Sequence, residues 1–417
     1  MAQPLRILYA AGPGDVLGTY RHWKTGREDP SQVSMTYSGQ FYDLIKNLDA
    51  KACVIACNTY PGKLRDGNFI IKNRKIPFQH QSSALLYHTG QLWSAIRLIC
   101  SAIAYRADAV VIVCGTCHWF PLRILRLFRI KVIPTMHCVI WRKGGSLHGL
   151  QKHIGKLNRK FFRNTVSGIM TASRDISDQV NELTAGRMKT IYPFLPSYRP
   201  EEFKDIGEPS KVRNPFRVFF AGRVERNKGV FDLLEICKRF TAAGRTDIEF
   251  DLCGAGGALA DLKAETEAAG LADRFRCHGH CNKPTMREMF SRCHVVIVPT
   301  TTEFIEGFNQ VVAEGVLAGR PVITSSVCPA LEYVRDAVVE VPPDDVDAYQ
   351  AAILKLCDDL PFYQQKKTAC HNAQGQFYDL NQSWGTTLKN VLRSSGLIQD
   401  QTSSTVQWSA NSAPKPS

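Results

Sequence analysis

Two glutamates separated by seven residues, Glu306 and Glu314, are the acidic side chains best placed to do chemistry. Between them, Gly307 marks a predicted helix start, followed by Phe308 and Asn309. Unpaired N–H groups at a helix N-terminus favour an anion such as a diphosphate, and glycine lets the backbone approach it closely. A carboxylate two turns into an apolar helix, as Glu314 would be, is costly to bury alone, and a ribose diol would supply its hydrogen bonds. The pattern predicts a nucleotide site. In the alternative interpretation, Glu306 is a solvated loop residue and Glu314 is a charge on the surface of a helix.

A glycine and two cations, Gly222, Arg223 and Lys228, come directly after the apolar segment Arg217–Ala221. Arg223 can hold phosphate oxygens through its guanidinium fork, and Lys228 can act as a mobile point charge. Together they would stabilise the negative charge that gathers on a departing diphosphate. A charged surface loop is the alternative. Because this set and the glutamates both follow predicted strands, we favour a shared site.

Two cysteine motifs suggest cofactors, but their context does not support either one. Residues 114–118, Cys-Gly-Thr-Cys-His, spell a covalent haem attachment motif, yet it occurs once, at the end of a predicted strand, and the first residues do not resemble an export signal. Residues 277–281, Cys-His-Gly-His-Cys, suggest zinc, but neither the spacing nor a second ligand pair fits. We therefore expect no cofactor and no metal, and we expect the 14 cysteines to be mostly buried thiols.

Apolar segments of strand length alternate with helical segments in both halves of the chain. The predicted strands are Leu5–Ala10, Ala52–Ala56, Ala109–Val113, Lys131–Pro134, Gly168–Thr171, Arg217–Ala221, Ile248–Cys253, Phe275–His278, Val295–Pro299 and Pro321–Thr324. The predicted helices are Gly39–Leu48, Ser82–Ala104, Leu122–Phe128, Lys152–Arg163, one capped by Ser173, Gly229–Ala243, Leu259–Ala268, Thr285–Ser291 and Asn309–Ala318. This alternation predicts two doubly wound α/β domains with ligands at the carboxyl ends of the strands.

Proline-rich polar residues divide the 417-residue chain, which is longer than one hydrophobic core usually serves. We predict an N-terminal, acceptor-side domain at 1–195, a linker at 196–215 and a C-terminal, nucleotide-binding domain at 216–375. A helix within 376–397 is predicted to return to the N-terminal domain. The Ser-, Gln- and Pro-rich tail at 398–417 is predicted to be disordered.

The second half of the chain resembles the donor domain of family 4 glycosyltransferases. The shared positions are Arg223, Lys228-Gly229, the Glu306 and Glu314 pair, Gly254-Ala-Gly256, His278-Gly279-His280, residues 289–299 and 318–323, and Glu332. The resemblance covers residues 190–390 well and residues 1–190 weakly. It implies the GT-B fold, in which two Rossmann-like domains face a central cleft. It also implies a retaining transferase that uses a UDP- or GDP-sugar without a divalent metal.

The same resemblance implies roles for individual residues. Glu306 would contact the transferred sugar, and Glu314 would bind the ribose. Arg223 and Lys228 would bind the diphosphate. Retention is usually assigned in this family to attack on the face from which the diphosphate leaves, with the leaving phosphate helping to deprotonate the acceptor.

Four further positions are assigned to the site on weaker grounds. Gly254 and His280 would lie around the nucleotide. His137, after a predicted strand, would lie near the anomeric carbon, with a core histidine as the alternative. Gly14, in a bare Gly-x-Gly, would place an N–H near the diphosphate or the acceptor. The chain departs from the family pattern at residues 303–305, Glu-Phe-Ile, where a small polar run is more usual, and this leaves the identity of the sugar open.

The net charge of +14 is concentrated in the first half of the chain. Residues 1–210 contain 29 Lys and Arg against 14 Asp and Glu, a surplus of +15, so the remainder carries −1. Two predicted helices mix this charge with apolar residues. Their members are Arg123, Arg126 and Arg129 beside Leu122, Leu125, Leu127 and Phe128, and Lys152, Lys156, Arg159, Lys160 and Arg163 beside Leu157, Phe161 and Phe162. Basic amphipathic helices bind anionic membranes, although a solvated basic face is the alternative.

No run of apolar residues is long enough to span a bilayer, so we expect a cytoplasmic protein bound peripherally to the inner face of the cytoplasmic membrane. The acceptor would be lipid-linked, or a lipopolysaccharide or exopolysaccharide glycan, in polysaccharide biosynthesis. Two other functions stay open. A sugar-nucleotide epimerase of the same fold would need acid and base groups beyond His137. A non-catalytic membrane or nucleic-acid binder would leave the two glutamates unexplained, and no nucleic-acid motif is found.

Overall fold

The computed structural model describes residues 3–27, 29–75, 83–188 and 190–399. Its strands are β1 (Arg6–Pro13), β2 (Lys51–Cys57), β3 (Gly62–Asp66), β4 (Phe69–Arg74), β5 (Ala109–Val113), β6 (Lys131–Met136), β7 (Ile169–Thr171), β8 (Ile191–Pro193), β9 (Phe216–Ala221), β10 (Ile248–Cys253), β11 (Phe275–Gly279), β12 (Val295–Val298), β13 (Val322–Ser325) and β14 (Val338–Val341). These strands form two separate sheets.

Helices fill the connections between most of these strands. They are α1 (Val16–Lys24), α2 (Tyr37–Asn47), α3 (Ala84–Tyr105), α4 (Gly149–Asn164), α5 (Arg174–Thr184), α6 (Val230–Ala242), α7 (Leu259–Ala268), α8 (Lys283–Arg292), α9 (Gln310–Leu317), α10 (Leu331–Val334), α11 (Val346–Asp358), α12 (Leu360–Ala373), α13 (Gly375–Tyr378) and α14 (Trp384–Ser394). Short 3-10 helices occur at Phe120–Phe128, Pro200–Glu202, Arg226–Lys228, Arg335–Ala337 and Leu380–Gln382. None of the described helices has the length and apolar character needed to cross a bilayer.

The N-terminal sheet has the strand order β3-β4-β2-β1-β5-β6-β7-β8, and only the β3–β4 pair is antiparallel. Its central strands, such as Ala109–Val113, are apolar at every position because helices cover both faces of a parallel sheet. The C-terminal sheet has the order β11-β10-β9-β12-β13-β14 and is parallel throughout. In each sheet the order reverses beside the first strand, β1 or β9, which is where ligands bind in folds of this kind.

The prediction of two doubly wound α/β domains is confirmed, and all ten predicted strands are present. Other predictions were incomplete. The β3–β4 hairpin was missed because its alternating polar residues lack the apolar run typical of a buried strand. Residues 120–128 form a 3-10 helix rather than an α-helix. The predicted first residue of α3, Ser82, and residues 400–417 of the predicted tail lie outside the described residues.

The predicted helix Asn309–Ala318 is confirmed to within one residue at each end, but the placement of Gly307 at a helix start was wrong. Helix α9 begins at Gln310, and the preceding residue, Asn309, has φ 63° and ψ 85°. A residue in the left-handed region cannot belong to a right-handed helix, so the helix cannot begin earlier. Glu314 therefore lies one turn into the helix rather than two.

The chain crosses back to the N-terminal sheet after α13. Helix α14 packs against α2, β7 and β8. The buried Trp384 indole Nε1 donates to Thr135 Oγ1 at 2.9 Å, and Gly385 N donates to Gln40 Oε1 at 2.8 Å. These contacts hold the last described helix on the domain that contains the first strand.

Candidate functional site

Close contact between the ends of β9 and β10 forms the floor of the C-terminal side of the cleft. Gly222, after β9, and Gly254, after β10, have φ angles of 151° and 157°. A Cβ on Gly254 would lie 1.7 Å from the carbonyl oxygen of Gly222, so only glycine fits there. The two glycines therefore let the ends of β9 and β10 approach each other closely, and their assignment to the nucleotide stays a prediction.

Lys228 and Glu306 form a buried ion pair next to this floor. Lys228 Nζ lies 2.6 Å from Glu306 Oε2, and both residues are less than a tenth exposed. The chain separates them by 78 residues, and the loops after β9 and β12 bring them together. The buried cation and the buried carboxylate stabilise each other, because either one alone would be an unpaired charge removed from water.

Three further groups surround the Glu306 carboxylate. Gly307 N donates to Oε1 at 3.0 Å, and Asn309 Nδ2 donates to Oε2 at 3.0 Å. Thr300 Oγ1 lies 3.4 Å from Oε2. The Gly307 N–H, which the sequence assigned to a diphosphate, is thus used by the neighbouring side chain, and the first turn of α9 begins three residues later.

An aromatic ring lies beside the two cations assigned to the diphosphate. Lys228 Nζ is 3.6 Å from the centre of the Phe304 ring, and Arg223 Cζ is 5.1 Å from it. The negative face of an aromatic ring attracts cations at such distances. Phe304 is part of the departure from the family pattern, and the sequence did not indicate that its ring would contact both cations.

Glu314 is a buried carboxylate without a partner. The residue is 7% exposed, and none of the described residues forms a hydrogen bond or ion pair with its carboxylate. Burial raises its pKa to about 7. An isolated carboxylate in such a place is stabilised by a ligand that donates hydrogen bonds, and two vicinal hydroxyl groups meet that need.

The N-terminal domain contacts the donor side through backbone atoms. Val139 N donates to the Glu306 carbonyl oxygen at 3.2 Å, and Cys138 pairs with Gly307 as a short antiparallel bridge. A Cβ on Gly307 would lie 2.3 Å from the His137 carbonyl oxygen. The loop that holds Glu306 is therefore fixed by the opposite wall of the cleft.

His137 lies at this wall and is neutral near pH 7. Its ring is enclosed by Tyr37 and Phe194, with centroid distances of 4.6 and 5.3 Å. Burial lowers its pKa to about 4. Its Nε2 lies 3.0 Å from Thr135 Oγ1, which accepts the Trp384 N–H. The ring can exchange hydrogen bonds with a substrate but carries no charge at neutral pH.

Cys138 and Gln310 also join the two walls, and the sequence indicated neither. The Cys138 thiol donates to the Cys114 sulfur, and this hydrogen bond lowers the pKa of Cys114 to about 7. Ser34 Oγ lies 3.2 Å from Gln310 Oε1 across the cleft. These residues lack a sequence motif, and only their place in the fold identifies them.

Three predicted site residues are not brought into this cluster by their side chains or hydrogen bonds. Phe308 is buried against Tyr333 and Phe377, so a ligand could reach only its backbone. His280 is exposed just after β11. The hydrogen bonds of Gly14 stay within the N-terminal domain, where its N–H donates to the Cys57 carbonyl oxygen.

No group of three or more His, Cys, Asp or Glu that could hold a metal ion occurs within residues 3–27, 29–75, 83–188 and 190–399. The independence from metal that the resemblance implies stays a prediction.

Several known proteins are similar to this chain in sequence or fold. Residues 201–372 match the family model of glycosyl transferases group 1. The alpha-D-kanosaminyltransferase of Streptomyces kanamyceticus is 26% identical over 182 residues, which is 43% of this chain and 46% of that protein. The chain thus matches less than half the length of this relative.

Two solved structures share the fold over nearly the whole chain. Sucrose-phosphate synthase from Thermosynechococcus elongatus has a TM-score of 0.68 at 13% identity, covering 93% of this chain and 97% of that one. Anabaena HepE in complex with UDP-glucose has a TM-score of 0.62 at 16% identity, covering 93% and 98%. At these identities the likeness establishes the fold alone.

The two facing sheets and the similar structures establish the GT-B fold. Residues 201–372 thus resemble the glycosyl transferases group 1 family, and glycosyl transfer by the whole chain is a proposal. The resemblance inferred from the sequence is confirmed at this level, and the narrower assignment to family 4 stays a prediction.

Proposed function

We propose that the protein transfers a hexosyl group from a UDP- or GDP-sugar to a glycan acceptor with retention of configuration and without a divalent metal. The observation that carries this proposal is Glu314, an unpartnered buried carboxylate one turn into α9. The loop immediately before that helix holds Glu306 against Lys228. A ribose on Glu314 would place the diphosphate toward the two cations and the sugar toward the cleft.

The cations supply what a metal would otherwise supply. Arg223 and Lys228 meet the diphosphate, whose charge grows as the bond to the anomeric carbon breaks. Lys228 can turn from Glu306 to a phosphate oxygen, since a long flexible side chain reorients easily. Glu306 then keeps its bonds to Asn309 and Gly307 and gains the capacity to accept a sugar hydroxyl.

Retention follows from attack on the face that the diphosphate leaves. The bond between the anomeric carbon and the phosphate oxygen breaks, and its electron pair goes to the diphosphate. The acceptor oxygen forms the new bond, and its proton goes to a diphosphate oxygen. Glu306 keeps its hydrogen bonds from Asn309 and Gly307 while Lys228 binds the diphosphate, so it serves as a hydrogen-bonding group rather than as a free nucleophile.

An epimerase is the less favoured alternative. Such an enzyme needs a group that donates a proton near neutral pH. With a pKa of about 4, His137 is a poor acid there. Its neutral ring suits a hydrogen bond to a sugar hydroxyl instead.

The acceptor belongs to the same proposal. We infer a lipid-linked, lipopolysaccharide or exopolysaccharide glycan, reached at the inner face of the cytoplasmic membrane. The support is the surplus of +15 in residues 1–210, which attracts an anionic surface or saccharide.

Native mass spectrometry of the gently purified protein tests the donor. The expected result is a bound UDP or GDP species, reduced in amount in Glu314→Gln, together with donor cleavage that EDTA does not reduce. Absence of binding to UDP, GDP and their sugars in the wild type would overturn the proposal. Cleavage that EDTA abolishes and magnesium restores would overturn its metal-independent form.

A further inference from the structure

Helix α3 exposes a stripe of large apolar side chains to solvent. Leu85, Leu92 and Ile96 recur at intervals that place them on one face of the helix, and Trp93 lies beside them. Ile96 and Trp93 are each 50% exposed. A different side of the helix, which includes Ala95, Leu98 and Ala102, is buried, so the stripe is additional to the core.

The 3-10 helix Phe120–Phe128 continues this apolar surface. It packs against α3 on one side and α4 on the other, so the three elements are neighbours. Ile124, Leu127 and Phe128 project from it, and Leu127 is 81% exposed. We call the exposed residues Leu85, Leu92, Trp93, Ile96, Ile124, Leu127 and Phe128 the apolar face. Large apolar side chains exposed together on neighbouring elements mark an interaction surface.

Positive charge dominates the segment that contains the apolar face, which has almost no carboxylate. Residues 83–174 contain 14 Lys and Arg and one acidic residue, Asp108. Asp108 accepts a hydrogen bond from Arg6 N at 2.8 Å and so lies at the opposite end of β5 from the cleft. Arg123 on the 3-10 helix, Arg129 directly after it, and Lys152, Lys156 and Lys160 on α4 are exposed.

We propose that the apolar face inserts into the surface of an anionic lipid bilayer while the surrounding cations bind the headgroups. This rests on the proposed function, for which it names the contact with the membrane. Exposed leucine, isoleucine and tryptophan beside lysine and arginine are the composition that binds such an interface. A second copy of the chain fits poorly, because symmetric pairing would bring the same cationic surface against itself.

The apolar face leads directly to the cleft. His88, on the N-terminal turns of α3, lies 3.0 Å from His118 through Nδ1 and Nε2. His118 belongs to the loop after β5, and Cys114 in that loop accepts a hydrogen bond from His137 N at 3.2 Å. Docking through α3 therefore brings the acceptor side of the cleft to the bilayer surface, where a lipid-linked glycan enters without leaving the membrane.

Co-sedimentation with vesicles tests the docking. Wild type is expected to bind phosphatidylcholine vesicles that contain phosphatidylglycerol, to release at high salt, and to ignore phosphatidylcholine alone. Ile96→Glu and Leu127→Glu are each expected to weaken binding about tenfold or more. Each variant replaces an apolar side chain that would be buried in the bilayer with a negative charge, which the anionic lipid repels. Leu360→Glu, at a residue 51% exposed on α12, is the matched control and should bind normally.

Tryptophan emission supplies a second readout. Vesicle binding should shift the emission to shorter wavelength in the wild type and less in Trp93→Phe. The inference is overturned if the wild type does not bind anionic vesicles at low salt, if lipid charge has no effect, or if Leu360→Glu weakens binding as much as Ile96→Glu. A dimer broken by Ile96→Glu without vesicle binding would also overturn it.

Donor cleavage without vesicles separates the two proposals. If all variants cleave the nucleotide sugar but none binds lipid, the docking is wrong and the transferase stands. If no variant binds or cleaves a nucleotide sugar, the transferase is wrong whatever the vesicles show.

Discussion

Burial and protonation are coupled at the carboxyl group of Glu314. In the unfolded chain its pKa is near 4.5, and in the folded protein burial raises it to about 7. Between these two values the folded state holds a proton that the unfolded state has lost. Stability therefore falls as the pH rises through this window, by roughly 3 kcal/mol in all. A ligand that donates hydrogen bonds to the ionised carboxylate offsets this cost.

Donor affinity should consequently depend on pH through Glu314. Between pH 8 and pH 6 the wild type should lose about tenfold in affinity for a nucleoside diphosphate relative to Glu314→Gln, because the proton competes with the ribose hydroxyls. Calorimetric titration of both proteins at each pH gives the ratio. Titration of the phosphate affects both proteins equally, so it does not change the ratio of their affinities. If this ratio were the same at pH 8 and pH 6, a ribose contact at Glu314 would be contradicted.

Arg223 and Glu314 should affect different kinetic constants. Arg223→Ala should slow transfer by on the order of 3 kcal/mol, about a hundredfold in kcat, because its partner's charge grows in the transition state. Glu314→Ala should raise the donor KM about tenfold with little change in kcat, because the ribose does not change during reaction. Arg226→Ala is the control, since Arg226 is exposed and packs on Phe231. Equal losses of kcat from Arg223→Ala and Glu314→Ala would refute this division.

Phe304 should act on donor binding through the cations that it contacts. We expect its ring to keep Arg223 and Lys228 side by side in the empty site despite their like charge. Phe304→Leu should then raise the donor KM by about three- to tenfold, with Phe304→Tyr close to the wild type. Steady-state kinetics measures the donor KM of both variants and of the wild type. Tighter donor binding in Phe304→Leu would instead mean that the ring occupies the place of the diphosphate.

The sequence predicted the residue types of this site better than their partners. Glycine at a strand end, two cations after it and a pair of spaced glutamates have local chemical meaning, so Arg223, Glu306 and Glu314 could be found from their neighbours in the chain. The Lys228–Glu306 pair spans 78 residues, and only the fold brings it together. The contact of Phe304 with both cations depends in the same way on loop geometry.

At the scale of elements, the short bridge between residues 137–139 and residues 306–307 joins the two walls of the cleft. Gly307→Ala should force these backbones apart, because its Cβ would lie 2.3 Å from the His137 carbonyl oxygen. We expect kcat/KM to fall at least about tenfold, since a small displacement of positioning groups is costly. Gly375→Ala is the matched control, because a Cβ there meets nothing within 4 Å. Similar activity of both variants would show that the bridge does not position Glu306.

Elements buried on both faces were the predictable ones. Strands such as Ala109–Val113 are continuous apolar runs, and in an α/β fold this pattern is typical of a parallel strand that is covered on both faces. The edge hairpin β3–β4 and the short strand β8 lack such a run, and several of their residues are only partly buried. The start of α9 was misplaced because the left-handed conformation of Asn309 depends on contacts that its own sequence does not reveal.

At the scale of the whole molecule, one apolar core runs through both domains. It includes Tyr9 and Ile112 of the N-terminal sheet together with Phe219, Val296 and Val312 of the C-terminal side. A second core occupies the other face of the C-terminal sheet. Helix α14 follows the C-terminal domain in the chain but packs on the N-terminal domain, where Trp384 contacts Tyr9 and donates a hydrogen bond to Thr135. The domains should therefore not unfold independently.

Ligand binding to the C-terminal domain should accordingly stabilise the N-terminal domain. Every tryptophan before residue 400 lies in or packs on the N-terminal domain, namely Trp23, Trp93, Trp119, Trp141 and Trp384. A nucleoside diphosphate at a hundred times its Kd stabilises the folded state by about 2.7 kcal/mol. In Trp408→Phe, tryptophan fluorescence and circular dichroism should report one thermal transition, and the nucleotide should raise its Tm in both signals. If the nucleotide raised the Tm by circular dichroism but left the fluorescence transition unchanged, the shared core would not couple the domains, and closure of the cleft would have to rest on the bridge at Gly307 alone.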